Sequence, residues 1–355
     1  MEQPLLDAGI IKTLCEHAHS LNAGLRINSL WALKHIVNCD EKSLVDNNLR
    51  KRVLEELEPG WLVQLISDDI ADEEALQQIR GRSSWRAKDA DDDEDMDAPE
   101  STSYDETESA PGGTWTWPAL SRVCMPLPPR LQQSLQRLSA LRDAELNPVR
   151  RARNDSLDIQ EQAISFIRNF LSIPEEESQP ELVDFIFSEI GQDRLFGILA
   201  DKLRRRVVGG LSRRSRSSST TGASGSSSNN ESAVTFYPQP RVVENIIWVL
   251  CHIAAARPQH RQLVLAQKEL LRRLSEHFDS CDVGVRRALV QLFENLSWSD
   301  GDMENAACQQ RAREIEQMGF LEKLKVLEQS DVDKDVRARA AGAVGQLKAP
   351  GAGSS

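Results

Sequence analysis

The feature that most constrains the fold of this chain is an internal repeat that occurs five times. Thirteen-residue segments align without gaps: LRINSLWALKHIV, IQEQAISFIRNFL, VVENIIWVLCHIA, VRRALVQLFENLS and VRARAAGAVGQLK, at residues 25–37, 159–171, 242–254, 285–297 and 336–348. Apolar residues recur in them every three positions, which places one apolar stripe along each helix. The residues predicted to be buried are Leu30, Leu33, Ile36, Ile164, Ile167, Phe170, Ile247, Leu250, Ile253, Val290, Phe293, Leu296, Ala341, Val344 and Leu347.

The distance between the repeats indicates a helical solenoid. The last buried residues of the third and fourth segments, Ile253 and Leu296, are 43 residues apart, and Leu347 follows 51 residues later. The two earlier intervals, from Ile36 to Phe170 and from Phe170 to Ile253, shorten to a similar length when the two polar insertions are left out. This length is close to the 40–47 residues of armadillo and HEAT units. Each unit is therefore predicted to be a short helix, a longer helix and a third helix that carries the aligned segment. Because no unit can bury its apolar faces alone, we predict an all-α fold, an armadillo-type right-handed superhelical solenoid with two disordered insertions.

A second motif lies between the aligned segments and predicts the helix corners. GWLVQLISDD begins at Gly60 and GFLEKLKVLEQSD begins at Gly319, and both end in aspartate, at Asp69 and Asp331. Glycine is predicted to form the corner, and the aspartate is predicted to cap the next helix.

Two segments are too polar to fold, and they set the predicted boundaries. Residues 89–108 hold 11 acidic and no basic side chains, and residues 204–216 hold six arginines and no acid. Without them the formal charge of −12 becomes −12 + 11 − 6 = −7, so the net charge says little about a ligand. A phosphorylation-controlled switch or a nuclear import signal is the alternative to simple solvated insertions. The predicted ranges are armadillo repeats at 1–69, an acidic disordered insertion at 70–154, armadillo helices at 155–203, a Ser/Arg-rich disordered linker at 204–238, C-terminal armadillo repeats at 239–349 and a disordered tail at 350–355.

A row of polar residues follows from the alignment. The position before the last buried residue of each third helix holds an amide or an imidazole, and we call these residues the polar row: His35, Asn169, His252, Asn295 and Gln346. One turn earlier on the same face lies a second set, which we call the tryptophan row: Trp31, Ser165, Trp248, Gln291 and Gly342. In stacked units the amides and imidazoles could hydrogen-bond an extended peptide, and the indoles could pack on its side chains. The candidate groove residues are Trp31, His35, Asn169, Trp248, His252, Asn295 and Gln346.

The alternative to a binding groove is a purely structural role for the same residues. A tryptophan at helical spacing is usually a core residue, and an asparagine near a helix end often binds the backbone of a neighbouring turn. Five polar residues in one register are nevertheless hard to obtain from core packing alone.

The sequence lacks the motifs of catalysis and of cofactor binding. It contains no phosphate-binding glycine motif, no nucleophile elbow and no Cys/His set with zinc spacing, so no enzyme activity, cofactor or metal is expected. The isolated cysteines are typical of reduced residues in a cytosolic or nuclear protein. The N-terminal sequence predicts no signal peptide, and the most apolar run, 246–256, is too short to span a bilayer. Neither a nucleic acid, a membrane nor a small-molecule substrate is expected as a partner.

The third helices resemble armadillo repeats, and the chain resembles in particular the armadillo-repeat subunits of the GID, or CTLH, E3 ubiquitin ligases. The stretches that carry this resemblance are LRINSLWALKHIV, WLVQLISDD, FIRNFLS, IIWVLCHIAA, VRRALVQLFENLSW and QQRAREIEQMGFLEKL. Members of that family are usually longer at the N-terminus, so the chain is expected to be either a C-terminal portion of such a protein or the product of a shortened gene model. The small residues of AGAVGQ depart from the pattern and weaken the assignment of Gln346.

The resemblance implies a non-catalytic scaffold that links a substrate receptor to the catalytic core of the ligase, for ubiquitin-dependent proteasomal degradation. It places the tail of the receptor in the concave groove, which by register assigns Trp248, His252, Asn295 and Gln346. The implied partners are the other ligase subunits, and the implied location is cytoplasm and nucleus. The alternative is an importin- or catenin-like peptide-binding adaptor in nuclear transport or adhesion.

Overall fold

The computed structural model describes residues 9–38, 47–67, 148–172, 179–208, 234–300 and 304–349. Contacts divide the chain into two compact parts, one of Met1–Ala71 with Arg153–Ser355 and one of Asp72–Ala152. The helices described below belong to the first part, except for the opening turn of the helix that begins at Pro148.

The described residues form fourteen α-helices, which follow the predicted three-helix pattern. The first unit has α1 (Ile10–Ala18) and α2 (Ala23–Ile36). The second has α3 (Asn47–Leu57), α4 (Pro59–Ser67) and α5 (Pro148–Leu171). The third has α6 (Gln179–Ile190), α7 (Gln192–Lys202) and α8 (Pro240–Ala256). The fourth has α9 (Pro258–Ala266), α10 (Lys268–Leu274), a 3₁₀ turn (Ser275–His277) and α11 (Val283–Ser297), and the fifth has α12 (Asn305–Gln317), α13 (Phe320–Ser330) and α14 (Lys334–Lys348).

The aligned segments all lie on third helices, namely α2, α5, α8, α11 and α14. Helices α8 and α11 pack along each other, as do α11 and α14. One apolar core runs through all five units, from Cys15 to Leu347. Helices α8 and α11 therefore each pack against the third helix of the next unit, as expected for a solenoid.

The predicted stripe is buried with two exceptions. Ile36 is only half-buried, and Ala341 is exposed while its neighbour Ala340 is fully buried. In α14 the buried face runs through Val336, Ala340, Ala343, Val344 and Leu347. Because positions 340 and 341 are both alanine, the sequence does not show which of the two faces the core. The prediction that Ala341 is buried was wrong, and the buried residue is its neighbour Ala340.

One of the two glycines predicted to form a helix corner does so, whereas the other glycine and the predicted cap at Asp331 are replaced in these roles by nearby residues. Gly319 has φ +80° directly before α13, a conformation that glycine adopts without strain. Gly60 lies inside α4, and the positive φ of that corner belongs to Glu58, at +63°. The cap of α14 is Asp333, whose side chain accepts from the Val336 amide at 3.0 Å, rather than Asp331. Asp69 lies outside the described residues.

Asp331 has a different role from the predicted cap. Its carboxylate accepts hydrogen bonds from Arg286 Nε at 2.6 Å and from Arg286 Nη2 at 3.0 Å, which ties α11 to the following corner. A bidentate pair of this kind fixes geometry as well as charge.

Both predicted insertions join a second helix to a third helix. Regular secondary structure extends into the C-terminal end of the first insertion and into both ends of the second. Helix α5 begins at Pro148, inside the range 70–154, because proline at the first helical turn costs no hydrogen bond. Within 204–238, strands β1 (Arg206–Val208) and β2 (Val234–Phe236) pair antiparallel, with Arg206 opposite Phe236. The β-branched residues of both strands favour this pairing. The remainder of both insertions and the tail at 350–355 lie outside the described residues.

In the part of the chain that the structure describes, none of the helices combines the length and the apolar character needed to cross a membrane.

Candidate functional site

The polar row and the tryptophan row share one face of the stacked third helices. Trp31 is 54% exposed and His35 is exposed beside it, with ring centroids 4.5 Å apart. Asn169, His252, Asn295 and Gln346 are half-buried, as is Trp248. Ser165 is buried and Gly342 is exposed. The rows are thus accessible in part, and their role in binding a peptide stays a prediction.

The two asparagines of the polar row link adjacent third helices. Asn169 Nδ2 donates to the carbonyl oxygen of Lys34 at 3.0 Å, and Asn295 Nδ2 donates to that of Cys251 at 3.0 Å. In both cases the acceptor is the residue before the polar-row position of the preceding third helix. Lys34 is among the last four residues of α2, whose carbonyl groups the helix end leaves without an intrahelical partner, whereas Cys251 lies one turn further inside α8. The structural role weighed for these asparagines is therefore present at both positions.

Trp248 carries an arginine on its ring. The guanidinium carbon of Arg168, on α5, lies 5.3 Å from the ring centroid, and Nη1 donates to Asn245 Oδ1 at 3.1 Å. A guanidinium over an indole is attracted by the negative face of the ring. Arg168 was not predicted from the sequence, although it directly precedes Asn169 of the polar row. The arrangement fixes the indole between two neighbouring units.

His252 lies beside the same indole, with ring centroids 6.3 Å apart. Burial, followed by the charges of Arg168 and Arg50, lowers the pKa of His252 to about 4. Burial and the charge of Lys34 also lower the pKa of His35. Both imidazoles are therefore neutral at pH 7, and each has one donor and one acceptor nitrogen.

The fourth and fifth units contribute a chain of amide contacts. Gln291 Nε2 donates to Asn295 Oδ1 at 2.9 Å, and Gln291 Oε1 accepts from Arg339 Nη1 on α14. Gln346 Oε1 accepts from the Ser297 hydroxyl at 2.8 Å. Gln291 and Gln346 thus both use their amide oxygens within the solenoid.

Carboxylates precede the polar row on two third helices, at Asp158 and Glu161 of α5 and at Glu244 of α8. Glu161 lies 3.9 Å from Arg241, and its pKa is raised, chiefly by burial. Burial and Asp155 also raise the pKa of Asp158. Helix α5 therefore carries two acidic groups before the cation Arg168, which lies next to Asn169.

Buried arginines of the first helices hold the ends of the third helices. Arg50 Nη1 donates to the carbonyls of Asn169, Phe170 and Ser172 at 3.0, 2.9 and 2.8 Å. Arg311 donates to the carbonyls of Leu296 and Trp298 at 3.0 and 2.7 Å. Arg261 donates to the carbonyl of Ala254 at 3.5 Å. The polar-row residues are thus positioned by side chains that the sequence analysis did not single out.

A signal for these arginines does exist in the sequence. Each is followed four residues later by a buried apolar residue, Leu54, Leu265 or Ile315. The arginine therefore occupies the apolar stripe of its helix, where a charged residue is rare unless it is paired.

Two of the described cysteines, Cys15 and Cys251, have thiols whose pKa is shifted away from reactivity. Cys15, Cys251 and Cys308 are buried and Cys281 is exposed, and none of these four forms a disulfide. Burial, and then Glu56, raises the pKa of Cys15 to about 12, and burial also raises the pKa of Cys251. A nucleophilic thiol needs the opposite shift. Among the described residues no three histidines, cysteines or carboxylates are grouped closely enough to hold a metal.

Comparison with known proteins establishes the fold. A designed armadillo repeat protein, solved in complex with peptide (KR)4, is similar over 97% of this chain and 84% of its own, with 13% identity and a TM-score of 0.50. Computationally designed armadillo repeat proteins for modular peptide recognition match with 12% identity and a TM-score of 0.49, over 97% of this chain and 84% of theirs. Neither a protein-family model nor a curated protein matches the chain. The predicted all-α armadillo-type solenoid is confirmed.

Proposed function

We propose that the chain is a non-catalytic scaffold of a GID/CTLH-type ubiquitin ligase, and that it binds an extended segment of a substrate receptor along its third helices. The observation that carries the proposal is the face formed by Trp248, Gln291 and Asn295. It combines a half-buried indole on α8 with two amides on the adjacent helix α11, and Trp248 and Asn295 are among the residues that the resemblance assigns to the receptor tail.

The chemistry of this face suits an extended peptide rather than a small molecule. An extended segment leaves its backbone N–H and C=O groups without partners, and a row of amides at the spacing of the units can bind them. The indole of Trp248 offers a large apolar surface to a ligand. Because Arg168 already holds this ring in place, the side chain loses little conformational entropy when a ligand binds. The partners would be the other ligase subunits, in cytoplasm and nucleus.

The test is affinity purification of the tagged chain from cells, with mass spectrometry of what co-purifies. We expect ligase subunits, including a receptor. Replacing Trp248 and His252 together by alanine should remove the receptor and leave the other subunits. Tyr237→Ala is the matched control, since Tyr237 is a 65% exposed aromatic residue that lies before the start of α8 and outside both rows. Unchanged recovery of receptor, with an unchanged melting temperature of the chain, would reject the groove.

A second candidate is an importin- or catenin-like adaptor. It is favoured by the carboxylates Asp158, Glu161 and Glu244 on the third helices, which would attract a basic segment. The same purification separates the two functions, because this candidate predicts nuclear-transport or adhesion proteins in place of ligase subunits.

A further inference from the structure

A cleft of about 610 Å³ lies between the third and fourth units. Its lining residues come from α6 and α7 of the third unit and from α9 of the fourth, and none of them belongs to a third helix. Pockets that bind a ligand typically enclose roughly 300–1,000 Å³. The cleft is therefore large enough to receive a ligand group on a surface separate from the groove.

Part of the lining of this cleft is apolar. Phe187 on α6 and Leu263 on α9 are both half-buried, so each has surface left to cover. The Phe187 ring stands edge-on to the buried ring of His260, with centroids 6.1 Å apart and an interplanar angle of 76°. Aromatic rings favour such tilted arrangements with one another. This part of the cleft therefore suits a further aromatic ring.

The lining also contains a carboxylate, Asp184 on α6, whose side chain is 52% exposed. Its Oδ1 lies 3.1 Å from His260 Nε2, and its Oδ2 accepts a hydrogen bond from Arg257 Nη1 at 3.2 Å. Both partners belong to the fourth unit, so they hold the carboxylate in place across the junction. A carboxylate offers about four lone-pair sites, so Asp184 can accept a further donor from a ligand.

The charges around this carboxylate balance. Burial lowers the pKa of His260, although the hydrogen bond and the charge of Asp184 act in the opposite direction, so the imidazole is neutral at pH 7. Arg257 then compensates the charge of Asp184. The other polar lining residues are three neutral amides, Gln192, Gln259 and Gln262. A ligand cation would be repelled by Arg257 and an anion by Asp184, so an uncharged donor is the group that fits.

We propose that this cleft is a docking site for a tyrosine or tryptophan side chain of a partner protein, which packs its ring on Phe187 and donates its O–H or N–H to Asp184. Both side chains combine an apolar ring with one polar group, and both are enriched at the energetic centres of protein interfaces. The amides, of which Gln259 and Gln262 are exposed, supply the polar surroundings that such a centre has. This inference goes beyond the proposed function and does not depend on the groove.

The test measures binding of blocked pentapeptides, Gly-Gly-X-Gly-Gly with X as Tyr, Trp, Phe or Arg, to the full isotope-labelled chain by heteronuclear NMR. We expect the Tyr and Trp peptides to shift the signals of Gln192, Gln259 and Leu263. The Phe peptide, which has no donor, should bind about tenfold more weakly than the Tyr peptide. Equal binding of the Phe peptide, tighter binding of the Arg peptide, or no binding of the Tyr and Trp peptides at millimolar concentration would overturn the proposal.

Asp184→Ala is the deciding variant, because it removes the acceptor and leaves Phe187 in place. It should weaken the Tyr peptide about tenfold and leave the Phe peptide within about twofold, whereas a general disturbance of the cleft would weaken both peptides alike. Glu189→Ala is the matched control, since Glu189 is exposed on the same helix and does not line the cleft. Unchanged binding of the Tyr peptide in Asp184→Ala would contradict the proposed contact.

A second variant, Leu263→Trp, fills the cleft with a side chain of the protein itself. With an unchanged melting temperature, it should abolish binding of both peptides, and continued binding would place the peptides elsewhere and overturn the site. Trp248→Ala should leave binding unchanged, because Trp248 lies on α8 and outside the cleft. Loss of binding in Trp248→Ala would show that the peptides occupy the groove instead.

The compound p-cresol, the isolated side chain of tyrosine, separates a protein partner from a free small molecule. A site for a protruding side chain leaves room for the backbone on both sides of it, so the Tyr peptide should bind at least as tightly as p-cresol. Binding of p-cresol with exclusion of the Tyr peptide would overturn the assignment to a partner protein.

Discussion

Arg311→Met should destabilise the end of α11 strongly, because the guanidinium is buried and has three partners. Its side chain is 1% exposed; Nε and Nη2 hold the carbonyls of Leu296 and Trp298, and Nη1 lies 2.7 Å from the Glu304 carboxylate. Methionine fills similar space and offers no donor. Removing one partner of a buried ion pair costs about 3–5 kcal/mol, and the two carbonyls left without a donor contribute to that cost. We therefore expect a loss of about 3–5 kcal/mol in the free energy of opening this unit.

The assay is hydrogen exchange of the amides in the last turn of α11, read together with urea unfolding of the whole chain. Exchange is needed because units of a solenoid can open separately. Arg313→Met is the matched control, since Arg313 is exposed two residues later on the same helix, and it should change stability by less than about 0.5 kcal/mol. Equal protection in both variants would refute the idea that these arginines hold the third-helix ends.

The remaining predictions concern the core, one corner and one histidine. Leu250→Asp should unfold the third unit, because Leu250 is fully buried and an unpaired carboxylate there costs several kcal/mol; wild-type thermal melting would contradict this. Gly319→Ala should cost about 1 kcal/mol of backbone strain at φ +80°, whereas Gly345→Ala, with open space inside α14, should stabilise by up to about 1 kcal/mol. Stability contributed by neutral His252 should be complete above pH 6.5 and should be lost as the pH falls to about 4, because the unfolded chain takes up this proton first. The loss, about 3 kcal/mol, is measured as the difference between wild type and His252→Gln across that range, and a difference that does not vary with pH would contradict the burial of the ring.

The fold could be predicted from the sequence because its repeat is expressed in apolar side chains. Burial of a stripe at helical spacing is a local requirement, so Leu30, Ile167 and Leu296 reveal their helices without any knowledge of neighbours. The prediction failed where the side chains are small, as at Ala341, or where a corner uses a residue other than glycine, as at Glu58. At such positions packing between units, rather than the local sequence, decides the conformation.

The sequence could predict which residues occupy equivalent positions of the site in successive units, but not which side chains they contact. The alignment placed Asn169 and Asn295 at equivalent positions, and the structure gives them equivalent partners. Arg168 and Arg339 were missed because their partners lie in a neighbouring unit, some 48–80 residues away in sequence. A contact between units leaves no periodic trace within one helix, so sequence spacing alone could not have found it.

The most direct test of the account is photo-crosslinking from the groove in the assembled complex. Benzoylphenylalanine replaces Trp248 in one version of the chain and exposed Gln309 on α12 in the other. We expect a crosslink to the proposed receptor subunit from position 248 and none from position 309. An intact complex that crosslinks to the receptor from position 309, and not from 248, would contradict it.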